Sequence, residues 1–472
     1  MEASQVTLLA DRAWDESILP KIEQYIAIPS KSPSFDPTWE QNGHLAKAVG
    51  LIEAWCKEQK IDGITIETVK LPGRTPLLYM EIPATKDADP NDTVLLYGHY
   101  DKQPEMTGWR EGLSPWKPVR EGDRLYGRGG ADDGYAAFAS LTAIRAVRDL
   151  GGRHCRAVVL IEGCEESGSF DLVPYLDHLG TRIGKPSLVV CLDSGCGNYD
   201  QLWVTTSLRG LVGGTLTVEV LTQGVHSGDA SGVVPSSFRI ARALLSRLED
   251  EKTGRILSEA FYAPIPEERA LQAAVSGRVL GPSTFARFPY AGSTHAMATD
   301  VSELVLNRTW RPFLSVTGAA GLPPIESAGN VLRPSTSLKL SLRIPPGVDG
   351  ETAAKELQRI LTTDPPLGAK VTLTPDEPAD GWNAPLLAPW LSNAIERASS
   401  TYFEKEACFM GEGGTIPFMG MLGRKFPEAQ FMITGVLGPQ SNAHGPDEFL
   451  HIPMGKKLTA SIAQILDDHA RR

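Results

Sequence analysis

Three features are scarce or missing in this 472-residue sequence, and each absence excludes a class of protein. No apolar run approaches the roughly 20 residues that a membrane-spanning helix needs. Lys and Arg are not clustered, and the formal net charge of −11 argues against nucleic acid or a membrane surface as a partner. Six cysteines are too few for a disulfide framework in a chain of this length, and no Cys-x₂-Cys pair offers the spacing of a structural zinc site.

The remaining composition describes an ordinary globular protein. Apolar residues make up 42% of the chain and charged residues 22%. The stretch MEASQVTLLADRAWDES lacks the basic start and apolar core of a signal peptide. Together with the low cysteine content, this predicts a reducing, cytoplasmic location.

The first part of the chain alternates apolar strand-like runs with helical patterns. The runs at 93–101, 157–166 and 187–195 are short and almost wholly apolar, which is typical of strands buried on both faces. An Ala-rich helical segment lies between the first two runs and ends near Gly151, where a helix C-cap belongs. This order predicts an α/β domain with a mostly parallel sheet and helices on both faces.

The middle of the chain has a different pattern. An alternating strand at 212–222, a helix at 236–250, a strand near SELVLNRTW, an alternating strand at 335–344, a helix at 351–363 and a strand at 369–375 follow one another. This β-α-β-β-α-β order is typical of a ferredoxin-like α+β domain. We therefore predict one domain from 1–208 and 386–472, with a second domain inserted at 209–385.

Polar residues follow each of the three buried runs. The first ends in His99 and Asp101, the second in Glu165 and Glu166, and the third in Asp193. Ligands of open α/β sheets bind beyond the carboxyl ends of the strands, so these side chains are expected at one site. Clustered buried carboxylates need a compensating cation, and no matching group of Lys or Arg stands nearby. A metal is the natural compensation.

Two loops add further ligand types. Asp132 and Asp133 directly precede the Ala-rich helix, where an aspartate could also serve as an N-cap. His444 lies in a loop bounded by Gly and Pro. Two imidazoles with several carboxylates suit Zn²⁺, Mn²⁺ or Co²⁺. The number of carboxylates fits two metals that share a bridging carboxylate better than it fits one zinc ion.

Seven short motifs occur in a characteristic order: GHYD, GRGGADDG, EGCEESGS, CLDSG, GVHSG, GEGGTIP and NAHGPDE. In this order and spacing the sequence resembles the M20 family of dinuclear metallopeptidases, and most of all its cytosolic nonspecific dipeptidase and carnosinase branch. The resemblance covers nearly the whole chain, and it implies that 1–208 with 386–472 is the catalytic domain and that 209–385 is a lid or dimerisation domain. Each motif alone is weak evidence for the family, whereas seven motifs in this order are specific to it.

The resemblance implies two divalent ions per subunit, Zn²⁺ or Mn²⁺, with Asp132 bridging them. The implied metal ligands are His99, Asp132, Glu166, Asp193 and His444. By the same resemblance Asp101 orients the ring of His99, and Glu165 is the general base. The residues alone indicate only that one of two adjacent glutamates is free for proton transfer, and leave open which one.

The resemblance also implies substrate-binding residues: His226, Asn330, Arg343 and Thr415. His226 would stabilise the oxyanion across a homodimer interface formed by the lid domains, and Arg343 with Asn330 would bind the terminal carboxylate of a small peptide. Without the resemblance, a loop histidine and an arginine on a polar strand face are ordinary solvent-exposed residues. The Gly-rich loop around Thr415 lacks the Lys of a phosphate-binding loop, so nucleotide binding is not expected.

The predicted function is therefore metal-dependent hydrolysis of the amide bond of dipeptides or short peptides, with attack by a metal-bound hydroxide and Glu165 as general base. One alternative keeps the site and changes the substrate to an N-acyl or N-carbamoyl amino acid. Another is a catalytically inactive scaffold protein. The scaffold is disfavoured because every expected ligand position is filled.

Overall fold

A computed structural model describes residues 1–414 and 416–472, and it divides into two compact units. The first unit comprises Met1–Thr205, Ala384–Phe409 and Met421–Arg472, and the second comprises Thr206–Asn383 and Met410–Gly420. The chain thus leaves the first unit and returns to it. The domain limits drawn from the sequence, at 208 and 385, stay predictions.

The described residues of the first unit form a six-stranded sheet. Across the sheet the strands lie in the order Thr65–Val69, Leu77–Ile82, Arg156–Glu162, Thr93–His99, Pro186–Cys191 and Gln430–Ile433. The last four strands are parallel, and the first two are antiparallel to their neighbours. Every residue of Thr93–His99 is buried, so both faces of this strand are covered, as its apolar run predicts.

Shorter elements complete the first unit. A small antiparallel sheet joins the strands Val119–Glu121, Arg124–Tyr126 and Phe449–His451. The chain passes between the units at four points, and three of them lie within the elements Trp203–Leu208, Cys408–Glu412 and Pro417–Lys425. The α-helices of the first unit are Ala3–Ala13, Leu19–Ile26, Trp39–Asn42, His44–Glu58, Ala136–Asp149, Leu172–His178, Gly180–Ile183, Pro389–Tyr402 and Ile452–His469.

The Ala-rich segment forms the buried helix Ala136–Asp149. Small side chains let it lie close to its neighbours, and the ring of Phe138 packs edge-on against Trp55. The helix ends before Gly151, whose φ of 70° is left-handed, as predicted. Its N-cap is Tyr135 and no side chain caps it, so the capping role considered for Asp132 or Asp133 is wrong.

The second unit contains a four-stranded antiparallel sheet. Its strands lie in the order Phe313–Ala320, Ser335–Ile344, Gly210–Glu219 and Lys370–Pro375. Alternate residues of Ser335–Ile344 are buried, and they form a core with the helices Ser237–Leu248 and Gly350–Thr362. The strand order and the two packed helices match the ferredoxin-like arrangement, so the predicted fold class is confirmed.

Further helices and short strands complete the second unit. Its other α-helices are Ser227–Ala230, Glu267–Leu280, Ser283–Ala286 and Val301–Thr309, and its other strands are Val225–His226, Val331–Leu332 and Trp382–Asn383.

One predicted strand of the second unit is wrong. The segment SELVLNRTW lies in the helix Val301–Thr309, and the strand follows it at Phe313–Ala320. Asp300 caps the helix by accepting a hydrogen bond from the Ser302 backbone N–H at 2.7 Å. The buried positions Val305, Leu306 and Thr309 follow an i, i+1, i+4 spacing, which places them on one side of a helix and breaks the alternation of a strand.

Two further observations concern the whole described chain. No helix in the described part is long and apolar enough to span a membrane. All six cysteines fall within the described residues, and each one is a buried free thiol.

Two glycines provide a matched test of helix packing. A Cβ at Gly455, in Ile452–His469, would lie 2.2 Å from Cη2 of the buried Trp14, whereas a Cβ at Gly50 in His44–Glu58 meets no atom within 4 Å. We expect Gly455→Ala to lower the free energy of unfolding by about 1–3 kcal/mol through overpacking. Gly50→Ala should raise it by about 0.5–1 kcal/mol through helix propensity. Denaturant unfolding measures both changes in the free energy of unfolding. Equal changes in the two variants would contradict the close packing of Gly455 against Trp14.

Candidate metal centre

The carboxyl ends of the parallel strands bring the predicted ligands together. His99 is the last residue of Thr93–His99, and Asp193 follows Pro186–Cys191 by two residues. Glu165 and Glu166 lie in a short turn of 3₁₀ helix just beyond Arg156–Glu162. Because parallel strands end at one edge of the sheet, residues far apart in sequence meet there.

Two groups of potential ligands share one carboxylate, that of Asp132. Nε2 of His99 lies 3.4 Å from Asp132 Oδ1 and 3.8 Å from Asp193 Oδ2. Nε2 of His444 lies 3.0 Å from Asp132 Oδ2 and 3.4 Å from Glu166 Oε2. Within each group the donor atoms all lie within 4.8 Å of one another. Asp132 presents one oxygen to each group, which is the geometry of a carboxylate that bridges two cations.

The donor atoms fit divalent ions. Nε2 of His99 and Oδ2 of Asp132 are buried and have no hydrogen-bond partner among the described residues. Such orphaned atoms are costly without a further partner. The side chain of Asp193 is 9% exposed and that of His444 is 54% exposed, so the centre opens on the His444 side. A mixed imidazole and carboxylate set suits borderline ions such as zinc and manganese.

Asp101 anchors three parts of the centre. Its Oδ1 lies 3.4 Å from Nδ1 of His99, which also faces the Asp101 backbone oxygen at 3.1 Å. The backbone N–H groups of Glu165 and Glu166 donate to its Oδ1 and Oδ2 at 3.1 and 3.0 Å. One fully buried carboxylate therefore fixes both the ring of His99 and the turn that carries the two glutamates.

Burial and crowding shift the pKa values of the metal-free centre. Burial, with Asp132 nearby, raises the pKa of Glu166 to about 8, and burial raises that of Asp193 to about 6. Burial opposes the charged form of His444, but Asp132 and Glu166 raise its pKa to about 9. Burial likewise opposes protonation of His99, and the carboxylates around it, Asp193 first, hold its pKa well above the usual range. Without metal, protons neutralise the cluster.

Glu165 differs from the other acids of this edge. It belongs to neither ligand group, although it is adjacent in sequence to Glu166. Burial raises its pKa well above the usual range, and Asp193 adds to the effect. A carboxylate that holds a proton readily and ligates nothing is suited to proton transfer.

The sequence analysis missed a buried ion pair between Arg128 and Glu448. Both side chains are almost fully buried, and Nη1 of Arg128 donates to Glu448 Oε2. Nη2 of Arg128 also donates to the backbone oxygens of His444 and Gly445, at 3.2 and 2.8 Å. The Gly129 N–H donates to Glu448 Oε1 at 2.8 Å. The pair thus ties the loop of His444 to the segment that carries Asp132. Both residues lie inside the GRGGADDG and NAHGPDE motifs, which was the available signal.

Two more buried acids contact residues of the first ligand strand, and the sequence analysis gave Glu162 no role and Asp133 only that of a helix cap. Glu162 accepts a hydrogen bond from the Tyr97 hydroxyl, and its burial raises its pKa to about 8. Oδ2 of Asp133 accepts from the His99 backbone N–H at 3.4 Å, and its burial raises its pKa well above the usual range. Both sit directly behind His99, and their strand and loop positions gave no sign of this contact.

Three of the four predicted substrate residues lie in the described part of the second unit. His226 pairs with Val331 in a short antiparallel ladder, and the Ser227 N–H donates to the Asn330 oxygen at 3.0 Å, so His226 and Asn330 are neighbours. Arg343 is half-buried on Ser335–Ile344, and burial lowers its pKa. Thr415 lies outside the described residues. The roles of all four stay predictions.

Sequence comparisons match this chain to known peptidases. The model of peptidase family M20/M25/M40 matches residues 95–468. Cysteinylglycine-S-conjugate dipeptidase of Corynebacterium striatum is 27% identical over 357 residues, which cover 75% of this chain and 76% of the relative. The Beta-Ala-His dipeptidase of Homo sapiens is 24% identical over 430 residues, covering 85% and 80%.

Solved structures show the same fold. The structure of the di-peptidase Dug1p from Saccharomyces cerevisiae superposes with a TM-score of 0.76 at 20% identity, covering 100% of this chain and 99% of that one. Human carnosine dipeptidase 1 gives a TM-score of 0.75 at 20% identity with the same coverage. At this identity the likeness concerns the fold.

Metal binding should strengthen as pH rises. Metals bind the deprotonated ligands, and the raised pKa values of His444, about 9, and Glu166, about 8, mean that protons compete below those values. Between pH 6 and 9 we expect the apparent affinity to rise by up to about tenfold per pH unit for each proton displaced. Calorimetry in buffers of different ionisation heat should detect proton release. An affinity independent of pH, or proton uptake, would contradict the charge pattern.

Proposed function

Because this chain belongs to peptidase family M20/M25/M40, we propose that it is a metal-dependent dipeptidase that hydrolyses the amide bond of dipeptides or short peptides. One observation carries the proposal: two ligand groups share Asp132, beside a half-buried Glu165 that belongs to neither. The names of the relatives, which are dipeptidases, support the substrate class.

The family is metal-dependent with dinuclear sites, and we propose Zn²⁺ or Mn²⁺ for this chain. His99, Asp132 and Asp193 would hold one ion, and Asp132, Glu166 and His444 the other. When bound, the two ions supply Lewis acidity at the scissile carbonyl and acidify the attacking water.

The side chains of this chain would handle the proton. Glu165 takes it from the attacking water and passes it to the nitrogen of the leaving amine. Its high pKa in the metal-free protein matches this shuttle, since a strongly acidic carboxylate would release the proton too early. Asp101 holds the Glu165 backbone and so keeps the base in reach of the reacting atoms.

We assign the substrate contacts to the second unit. Nδ1 of His226 accepts a hydrogen bond from the Gly228 N–H at 3.1 Å, so a neutral ring carries its proton on Nε2. An exposed Nε2–H is a donor that could stabilise an oxyanion. Arg343 and Asn330 would bind the substrate carboxylate, and Thr415 would line the same site.

We further propose that the chain forms a homodimer through the second unit. Phe313–Ala320 ends the four-stranded sheet, and its residues from Ser315 onward are exposed. Val316 on this strand is 48% exposed. A long edge strand with exposed apolar side chains favours pairing with another chain. A cytoplasmic location is proposed as well, since all six thiols are free.

A substrate panel tests the reaction. With added Zn²⁺ or Mn²⁺, we expect turnover of dipeptides and little turnover of N-acyl or N-carbamoyl amino acids. Glu165→Gln is the matched control, because it should keep metal and fold yet lose roughly 10²–10⁴-fold in turnover. Glu166→Gln should instead lose metal, measured by elemental analysis. Turnover confined to N-acyl amino acids would overturn the dipeptidase assignment, and a near-wild-type Glu165→Gln would remove its role.

Co-expression tests the role of His226. The His226→Ala and Glu165→Gln chains should each be nearly inactive alone. If His226 serves the neighbouring subunit, one of the two sites in a mixed dimer combines an intact Glu165 with an intact His226. Purified heterodimer should then recover about half of the wild-type activity. No recovery would place His226 in its own subunit's site, and a monomer by ultracentrifugation would reject the dimer itself.

A further inference from the structure

A third group of potential metal ligands lies at the opposite edge of the first-unit sheet, away from the two groups that share Asp132. Asp92 directly precedes Thr93–His99, and Cys155 directly precedes Arg156–Glu162, so both stand where parallel strands begin. His469 ends the helix Ile452–His469. At ~3.3 Å per residue, the strand separates this group from His99 by roughly 20 Å. It therefore shares no ligand and no ion with the candidate metal centre.

The three side chains are close and differ in chemistry. Sγ of Cys155 lies 3.5 Å from Oδ2 of Asp92, and Nε2 of His469 lies 3.6 Å from the same oxygen. The three donor atoms are all within 4.8 Å of one another. Zinc bonds of about 2.0–2.3 Å at tetrahedral angles put two donors roughly 3.3–3.5 Å apart. The spacing of a tetrahedral site is thus nearly present before any ion binds.

The surroundings restrict what can approach these atoms. The side chain of His469 is fully buried, and Cys155 is 2% exposed, while that of Asp92 is 16% exposed. The Ser187 hydroxyl donates to Asp92 Oδ1 and lies 2.8 Å from Nε2 of His469. The site is therefore enclosed, with an approach for a small ion on the side of Asp92.

The guanidinium group of Arg472 occupies this approach. Nη2 of Arg472 lies 2.7 Å from Asp92 Oδ2 and 3.0 Å from the Ser187 hydroxyl, and its guanidinium also lies over the ring of Trp390. Oδ2 of Asp92 thus already faces a positive charge at this point. The Arg472 side chain is 26% exposed, and an ion pair that water reaches contributes little. Bonds from zinc to thiolate and imidazole are much stronger.

We propose that Asp92, Cys155 and His469 form a third divalent-metal site, selective for Zn²⁺. The Cys155 thiol loses its proton to solvent as the sulfur–metal bond forms, and the Arg472 guanidinium moves off Asp92. The fourth position is filled by the Ser187 hydroxyl or by water. The metal fastens the end of Ile452–His469 to the start of two sheet strands, and so stabilises the first unit independently of catalysis.

The protonation states agree with this assignment. Burial lowers the pKa of His469 to about 4, so its imidazole is neutral at pH 7, as a ligand must be. Burial, with Asp92 nearby, raises the pKa of Cys155 to about 11, so the thiol stays protonated until a metal displaces the proton. The donor set of sulfur, nitrogen and oxygen favours zinc over Mg²⁺ or Ca²⁺.

Cobalt titration of the reduced, metal-stripped full chain tests the site without measuring activity. The candidate metal centre has only nitrogen and oxygen donors, so a thiolate-to-Co²⁺ charge-transfer band would report a cysteine ligand alone. We expect about three bound equivalents, with this band from one of them. Cys155→Ser should bind about two equivalents and lose the band. Cys408→Ser, which removes another buried thiol, should keep the third bound equivalent and the charge-transfer band.

Two further variants keep the test decisive if Cys155→Ser folds poorly. His469→Gln should also lose the third equivalent, whereas Arg472→Ala removes the competing cation and should tighten zinc binding roughly two- to fivefold. Zinc should raise the melting temperature of wild type beyond that of Cys155→Ser. Two equivalents and no band in wild type, or a band that survives Cys155→Ser, would overturn the site. Neither outcome depends on dipeptide hydrolysis, so failure here leaves the proposed function untouched.

Discussion

The cost of burying carboxylates at one edge of a sheet governs this structure. The side chains of Asp132, Asp193 and Glu166 are at most 9% exposed where they converge with two imidazoles, and such charges are unstable unless something positive joins them. In the metal-free protein protons do this, which is why the pKa values of His99 and His444 rise. We propose that divalent ions take the place of those protons, because the donor atoms of the two ligand groups suit a cation.

The cost of burying charge also explains the contacts of the residues behind the ligands, Asp101, Arg128 and Glu448. Asp101 accepts two backbone N–H groups and faces the ring of His99, which leaves its carboxylate well solvated by the protein itself. The Arg128 and Glu448 pair neutralises itself and at the same time holds the His444 loop. Asp101 and the Arg128–Glu448 pair thus neutralise or solvate buried charge and at the same time hold the segments that carry the ligands.

The two edges of the sheet carry separate groups of potential metal ligands. Parallel strands bring their carboxyl ends together, where His99 and its partners lie, and their amino ends together, where Asp92 and Cys155 lie. Sequence reading found the first group because loops after buried strands rarely carry so many acids. It passed over the second because an aspartate, a lone cysteine and a distant histidine have ordinary explanations when taken singly.

The sequence by itself determined the fold class, the alternation of the two patterns and the chemical types at the strand ends, because periodicity and residue type are local properties. It misjudged SELVLNRTW, where short apolar segments fit either a helix or a strand until packing selects one. Only the tertiary structure decided that Asp132 faces both ligand groups, that Glu165 stands apart from Glu166, and that Arg128 meets Glu448 across more than 300 residues. Those facts are distances between residues remote in the chain, and only the folded sheet sets such distances.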